Sequence, residues 1–485
     1  MKRREFLATT AATALSGSLV SCRKSAAAEP GTVLDAQSQC RTYASPQEAM
    51  LAPREKEVIV TALRVGINAE QPDYLATVDT DPDSPSYGKI VNRMVMPNVG
   101  DELHHFGWNA CSSCHGDPTK ARRYLIVPGL RSGRIYVIDA LEPRDLKLHK
   151  VIEPADIVAT TNLSAPHTVH CLPDGKIMLS MLGDGKGNAP GGFLLLDNKF
   201  EIAGRWEGAD SGLNFNYDFW FQPRHNVMVS SEWAAPKTFQ AGFDLKDVEA
   251  GKYGRSLCFW NWKEKKLLDK VDLGPLGMIP LEVRFHHDPN SKHGFVGAAL
   301  SSTLWHWFEK NGRWQVEKVV EVPSVEAKGW PFPVPGLITD LLISLDDRYL
   351  YFSNWLHGDV RQYDIRDPSR PKLAGQLWLG GVLGKSNGKR VRGRDFVGGP
   401  QMLQLSLDGK RLYVTNSLFS SWDNQFYPVM AKQGSTMLQI DCDTERGGME
   451  LNEKFVVDFR EEPLGPARAH EMRFPGGDCT SDIWI

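Results

Sequence analysis

The chain has 485 residues, of which 41% are hydrophobic and 24% charged, with a formal net charge of −3. Those values suit a chain that buries a large core, and the absence of a long basic run excludes nucleic acid as the main partner. No apolar run of roughly 18 residues follows the leader, so no membrane-spanning segment is expected.

Residues 1–29 read as an export signal, with a basic start, an Ala/Thr/Leu-rich stretch and small residues. Arg3-Arg4-Glu5-Phe6-Leu7 matches a twin-arginine signal, with an ordinary Sec leader as the alternative. Leu19-Val20-Ser21-Cys22 resembles a lipobox, which would put a lipid anchor on Cys22; cleavage within Ala26-Ala27-Ala28-Glu29 competes with it. Export predicts a periplasmic location, where disulfides persist. Besides Cys22 the cysteines are Cys40, Cys111, Cys114, Cys171, Cys258, Cys442 and Cys479. That number is odd, so at least one thiol is expected to be free or liganded. Cys258 and Cys442 fit inert core thiols.

Next comes "ELHHFGWNACSSCHGD", residues 102–117. Cys111-Ser112-Ser113-Cys114-His115 matches the c-type haem signature C-x-x-C-H, and equally a redox dithiol or half of a metal site. Haem is disfavoured on sequence grounds. The motif runs at once into strand-like sequence, whereas a c-type haem needs a compact surround and a distal ligand. Haem is also attached to an unfolded chain after export, while a twin-arginine signal carries a folded one. A thioredoxin-like dithiol wants a βαβ context, and a zinc finger a second C-x-x-C; the sequence supplies neither.

From about residue 120 the chain reads as β. Five units pair a short apolar strand, a polar turn and a second strand: "HCLPDGKIMLS", "WFQPRHNVMVSS", "FHHDPNSKHGFVGAAL", "LLISLDDRYLYFSN" and "LQLSLDGKRLYVTN". Their turns fall near residues 174, 224, 289, 347 and 409, a spacing of roughly 50 to 65. Hairpins repeating at that period predict an all-β seven-bladed β-propeller over residues 30–485, with six blades as the alternative. "RYLIVPGLRSGRIYVIDA" reads as an earlier unit of the same type, and "NEKFVVDF" as the strand that closes the ring. The Gly- and Lys/Arg-rich residues 380–400 read as a loop between blades.

In a propeller the innermost strands line a central channel, so histidines from different blades can converge on its axis. His104 and His105, His167 and His170, His225, His286 and His287, and His470 all lie near such strands. Clustered imidazoles suit copper, iron or zinc, and a nearby thiolate favours copper or zinc. His149, His293 and His306 read as surface or hydrogen-bonded residues.

The stretches "LHHFGWNACSSCHGD", "PHTVHCLPDGKIMLSMLGD", "EVRFHHDP", "GGPQMLQLSLDGKRLYVTNSLFSSWDNQFYP" and "AHEMRFPGGDCTSDIWI" resemble the selenium-binding protein family, from about residue 40 to the last. That family includes the methanethiol oxidases of bacteria and animals. The resemblance implies selenium binding at Cys111. It also implies a copper-dependent, periplasmic oxidoreductase that converts methanethiol, O₂ and water into formaldehyde, hydrogen sulfide and hydrogen peroxide. His115 is then incidental to the chemistry.

Taken together, His105, His167, His287 and His470 are the expected metal ligands, with His104, His170, His225 and His286 as alternates. Asp288, Glu232 and Glu471 are candidates to orient imidazoles. Cys111 and Cys114 are candidate catalytic thiols, one the acceptor and the other its resolving partner. Trp108, Phe219, Trp220, Trp233 and Trp355 are candidate walls of a pocket for the substrate methyl group. In each HH pair, strand alternation predicts that only one ring faces the axis. A non-enzymatic selenium or copper carrier, and a scaffold propeller binding proteins on its rim, are the competing readings.

Overall fold

The computed structural model describes residues 41–67, 70–208, 210–330, 332–386 and 396–485. The expected export signal, Cys22, Cys40 and residues 387–395 of the basic loop lie outside the described residues. Seven small antiparallel sheets stand in a ring, six of four strands and one of five, making a seven-bladed β-propeller.

The innermost strands, taken around the ring, are Arg468–Arg473, Gly107–Trp108, Leu163–Cys171, Phe219–Gln222, Pro280–Phe285, Ile338–Ile343 and Leu403–Leu405. The last five each pair with the following strand, and their connecting turns are the five hairpin turns expected from the repeat spacing. Asp-Gly pairs make two of those turns tight: Gly175 and Gly409 are left-handed, at φ 85° and 75°, where a side chain would be strained. Neighbouring blades interlock through buried aromatics. Phe193 meets Trp206, Phe219 and Trp260 edge-on, with ring centres 5.4 to 5.9 Å apart. Each such ring contributes roughly 1.5–3 kcal/mol by its burial.

Three expectations are corrected. Three strands of a further blade precede the C-x-x-C motif, Glu57–Leu63, Tyr74–Asp79 and Ile90–Val95. The ring is closed by Arg468–Arg473, which pairs with Glu57–Leu63; "NEKFVVDF" lies in the outer strand Met449–Asp458 instead. "RYLIVPGLRSGRIYVIDA" supplies Tyr124–Pro128 and Ile135–Asp139, the second and third strands of its blade. That blade's inner strand is the two-residue Gly107–Trp108, too short to show a period. Within residues 380–400, read as a loop between blades, Lys385–Ser386 forms a short fifth strand of one blade.

Candidate metal centre and thiol cluster

Residues at the starts of the inner strands converge at one end of the channel, and residues at their ends converge at the other. His104 and His105 precede Gly107–Trp108, His167 lies within Leu163–Cys171, and His470 is the third residue of Arg468–Arg473. These four rings form one buried cluster. His104 stacks on His470 at 4.0 Å between ring centres and stands 5.0 Å from His167, while His105 lies 4.1 Å from His167 and 5.3 Å from His470. A donor atom from each of His104, His105 and His167 falls within 4.8 Å of the others, spacing suited to a shared ion.

The hydrogen bonds around the rings fix which nitrogen is free. His470 Nδ1 donates to the Ser417 carbonyl at 2.7 Å, His167 Nδ1 pairs with the Thr168 hydroxyl at 3.1 Å, and His105 Nδ1 faces Glu471 Oε2 at 3.3 Å. The Nε2 atoms of all three are buried without a partner, as is Nδ1 of His104. Orphaned buried nitrogens are costly unless something binds them. One nitrogen tied to the protein and the other free is the arrangement of metal-ligating imidazoles. The residues present therefore fit a transition-metal ion.

Burial keeps these rings neutral and ready to coordinate. It pushes His167 down to about 3 and His470 to about 4, and drives His104 and His105 well below the ordinary histidine value. A charged layer lies directly beneath. Burial raises Glu471 to about 7 despite its contact with Arg473 Nη1 at 2.5 Å. Burial, and then the neighbouring Asp218, raises Glu282, whose Oε1 lies 3.9 Å from His105 Nε2. Arg284 bridges the two carboxyl groups, at 2.6 Å from Asp218 and 2.8 Å from Glu282. Tyr217 packs on His167 at 4.1 Å, its phenol held neutral by burial.

Over the rings lies an apolar cap. It includes Trp233, Phe239, Phe419 and Trp422, carried partly by the short helices Pro236–Phe239 and Ser420–Phe426. Of the aromatic wall candidates only Trp233 reaches the cavity above the imidazoles. Trp108, Phe219, Trp220 and Trp355 are buried in packing between elements of the propeller.

The structure does not bring His287 to this cluster. It follows its inner strand and so sits at the other end of the channel, with Nε2 on the Ile343 carbonyl at 3.0 Å and its ring 5.8 Å from Trp484. His170 lies further along the channel, between Phe219 and Trp220 at 5.1 Å each. His225 is half-buried in the turn Pro223–His225, and His286 pairs with the Ser291 hydroxyl at 2.9 Å. Asp288 is exposed, and Glu232 accepts from the Ser256 backbone at 3.2 Å, so neither orients a ring of the cluster. Both members of the His104–His105 pair join it. They precede the strand, after a left-handed Glu102 at φ 53°, so strand alternation does not govern them.

At the other end of the channel three thiols meet: Cys111, Cys114 and Cys171, all buried. Ser113 Oγ lies 3.2 Å from Cys111 Sγ and 3.7 Å from Cys171 Sγ, and Cys114 Sγ donates to the Leu172 carbonyl at 3.3 Å. Hydrogen bonding with Cys171 lowers the Cys114 thiol, whereas burial raises Cys171. The turn Ser112–Cys114 is clamped by Asp482, which accepts from the Ser112 amide and hydroxyl at 2.8 and 2.7 Å. His115 is exposed, with its ring near the Thr42 hydroxyl at 3.2 Å.

Glu282 and Tyr217 went unnoticed in the sequence, and Cys171 was counted there without a site role. A signal for Glu282 existed: "EVRF" at 282–285 and "EMRF" at 471–474 repeat one Glu-x-Arg-Phe pattern on two inner strands. Alternation turns both members of each Glu/Arg pair the same way.

The profile of the family "56kDa selenium binding protein (SBP56)" matches residues 37–485. Proteins named methanethiol oxidase from Xenopus laevis and Homo sapiens are each 55% identical over 462 residues, covering 91% of this chain and 98% of their own length. The X-ray structure of a hypothetical selenium-binding protein from Sulfolobus tokodaii superposes with a TM-score of 0.86 at 42% identity, covering 92% of this chain and 99% of that one. The chain belongs to the 56 kDa selenium-binding protein family.

Proposed function

We propose that this protein is a copper-dependent methanethiol oxidase, converting methanethiol, O₂ and water into formaldehyde, hydrogen sulfide and hydrogen peroxide. The observation that carries the reading is the set of four buried imidazoles with unpartnered nitrogens, in a chain 55% identical to proteins named methanethiol oxidase. His105, His167 and His470 would hold the ion through Nε2, with His104 completing the set. When bound, copper supplies redox chemistry with O₂ and favours the ionised thiol.

The chain's own residues prepare the site. Ser417, Thr168 and Glu471 orient three of the rings. The apolar cap excludes water, which protects reactive species from side reactions. Glu471 Oε2, buried and 3.3 Å from His105 Nδ1, is placed to hold that ring in one orientation.

Cys111 is the proposed selenium-binding residue, with Cys114 and Cys171 as thiols that exchange with it. This cluster favours the carrier reading as the second one, because its three thiols lie at the channel end opposite the imidazoles. Residues 1–29 would deliver the protein to the periplasm, and a lipid on Cys22 would anchor it there. Among the described residues no helix is long and apolar enough to cross a membrane.

The deciding experiment incubates metal-free and copper-loaded protein with methanethiol while following hydrogen sulfide and hydrogen peroxide. Turnover that depends on copper is expected. Its absence from copper-loaded protein overturns the enzyme reading and leaves the carrier.

A further inference from the structure

The cavity above the imidazoles has one polar corner and otherwise apolar walls. His104 and Tyr217 form one side, and Leu281, Leu337, Phe419 and Trp422 form most of the rest. Two other polar groups at the cavity are engaged elsewhere: Trp422 Nε1 donates to the Phe239 carbonyl at 3.0 Å, and Thr339 Oγ1 pairs with Ser353 Oγ at 3.1 Å. His104 supplies the imidazole edge at this side. A fitting occupant therefore has a small apolar body and one soft polar end, which describes a short alkanethiol.

Size narrows the class further. The cavity leaves about 20 Å³ for the centre of a water-sized group. One water needs roughly 10–15 Å³ by that measure, so there is room for one or two heavy atoms. The wall is also held stiffly. Ile279 and Leu337 enter adjacent inner strands in left-handed backbone, at φ 61° and 56°. A left-handed non-glycine residue is strained, and such strain persists only where the surroundings over-determine it.

We infer that this cavity is the alkyl pocket of the proposed reaction, and that Leu281 and Leu337 set its chain-length limit, admitting a methyl group and rejecting longer chains. The inference rests on the methanethiol oxidase reading. Leu281→Ala lengthens the pocket, so kcat/KM for ethanethiol relative to methanethiol should rise by about tenfold or more, since one methylene in an apolar pocket is worth about 10- to 200-fold. Ala299→Val fills the same cavity from just past the next strand of the Leu281 blade and should depress methanethiol turnover while copper content is retained.

Xenon-pressurised crystals give a readout independent of turnover. Xenon should occupy the cavity more fully in Leu281→Ala than in wild type, and should be absent from it in Ala299→Val. If wild type oxidises methanethiol but neither variant changes the ethanethiol-to-methanethiol ratio, the pocket assignment is wrong. If copper-loaded wild type oxidises no methanethiol while xenon still fills the cavity, the parent reading has failed, and the alkyl-pocket role falls with it.

Discussion

Each imidazole in the cluster is shaped by its immediate neighbours. His470 spends Nδ1 on the Ser417 carbonyl and is left with a free Nε2 in a dry site, whereas His287 spends Nε2 on the Ile343 carbonyl far from the others. His167→Ala or His470→Ala should therefore lower the copper-to-protein ratio measured by elemental analysis, while His287→Ala leaves it unchanged. Equal copper in the His470→Ala protein would mean that the ion sits elsewhere, with the thiols the first place to look. All four rings were legible as candidates from their nearness to inner strands, His104 only as an alternate, but His287 passed the same filter. A sequence shows that a histidine lies in or beside a strand; which part of the channel it occupies depends on its position along that strand.

Acid tests the same residues. For buried histidines pushed down to about 3 or 4, the folded chain refuses protons that the unfolded chain accepts below roughly 6.5. The metal-free protein thus loses stability as pH falls through that window. Glu471 works in the opposite sense. Its folded value near 7 exceeds the ordinary glutamate value of roughly 4.3, so its contribution is fully present at low pH and is lost as pH rises through 7. Glu471→Gln should therefore make metal-free protein lose more stability between pH 7 and pH 5 than wild type loses, measured as the shift in urea midpoint. An identical shift in both proteins would show that Glu471 does not take up a proton there.

Among the elements, the C-terminal segment after the closing strand has the clearest job. Asp482 receives Arg122 at 2.9 and 2.6 Å, with both side chains fully buried, and clamps the turn that carries Cys111 and Cys114. Trp484 Nε1 donates to the Tyr43 carbonyl at 3.0 Å, and Gln222 Nε2 donates to the Trp484 carbonyl at 2.9 Å. Asp482→Ala strands a guanidinium in the core, and breaking a buried pair from one side costs about 3–5 kcal/mol. Chemical denaturation should show that loss, and alkylation of Cys111 and Cys114 in the folded protein should quicken. None of this was readable beforehand. "GGDCTSDIWI" carries no period, and the partners of Asp482 lie some 360 to 370 residues upstream. The hairpins, by contrast, announced themselves, because Asp-Gly turns between apolar runs are local signals.

Over the whole molecule the metal centre and the ring closure are one feature. His470 lies on the C-terminal strand that pairs with Glu57–Leu63, while His104, His105 and His167 come from the next two blades. An ion held by these four would bridge the closing blade to its neighbours and so bind only the closed ring. A ligand selective for the native state stabilises it by about 2.7 kcal/mol at a hundredfold excess over its Kd. Copper should therefore raise the thermal midpoint of metal-free wild type, and a chelator should reverse the rise. His470→Ala should abolish the rise, because it removes the ligand on the closing strand, whereas Cys111→Ser should keep it, because the thiols lie at the other end of the channel. A copper-induced rise that survives His470→Ala but vanishes in Cys111→Ser would place the stabilising ion among the thiols. The histidine cluster would then lose its claim to be the clasp of the ring.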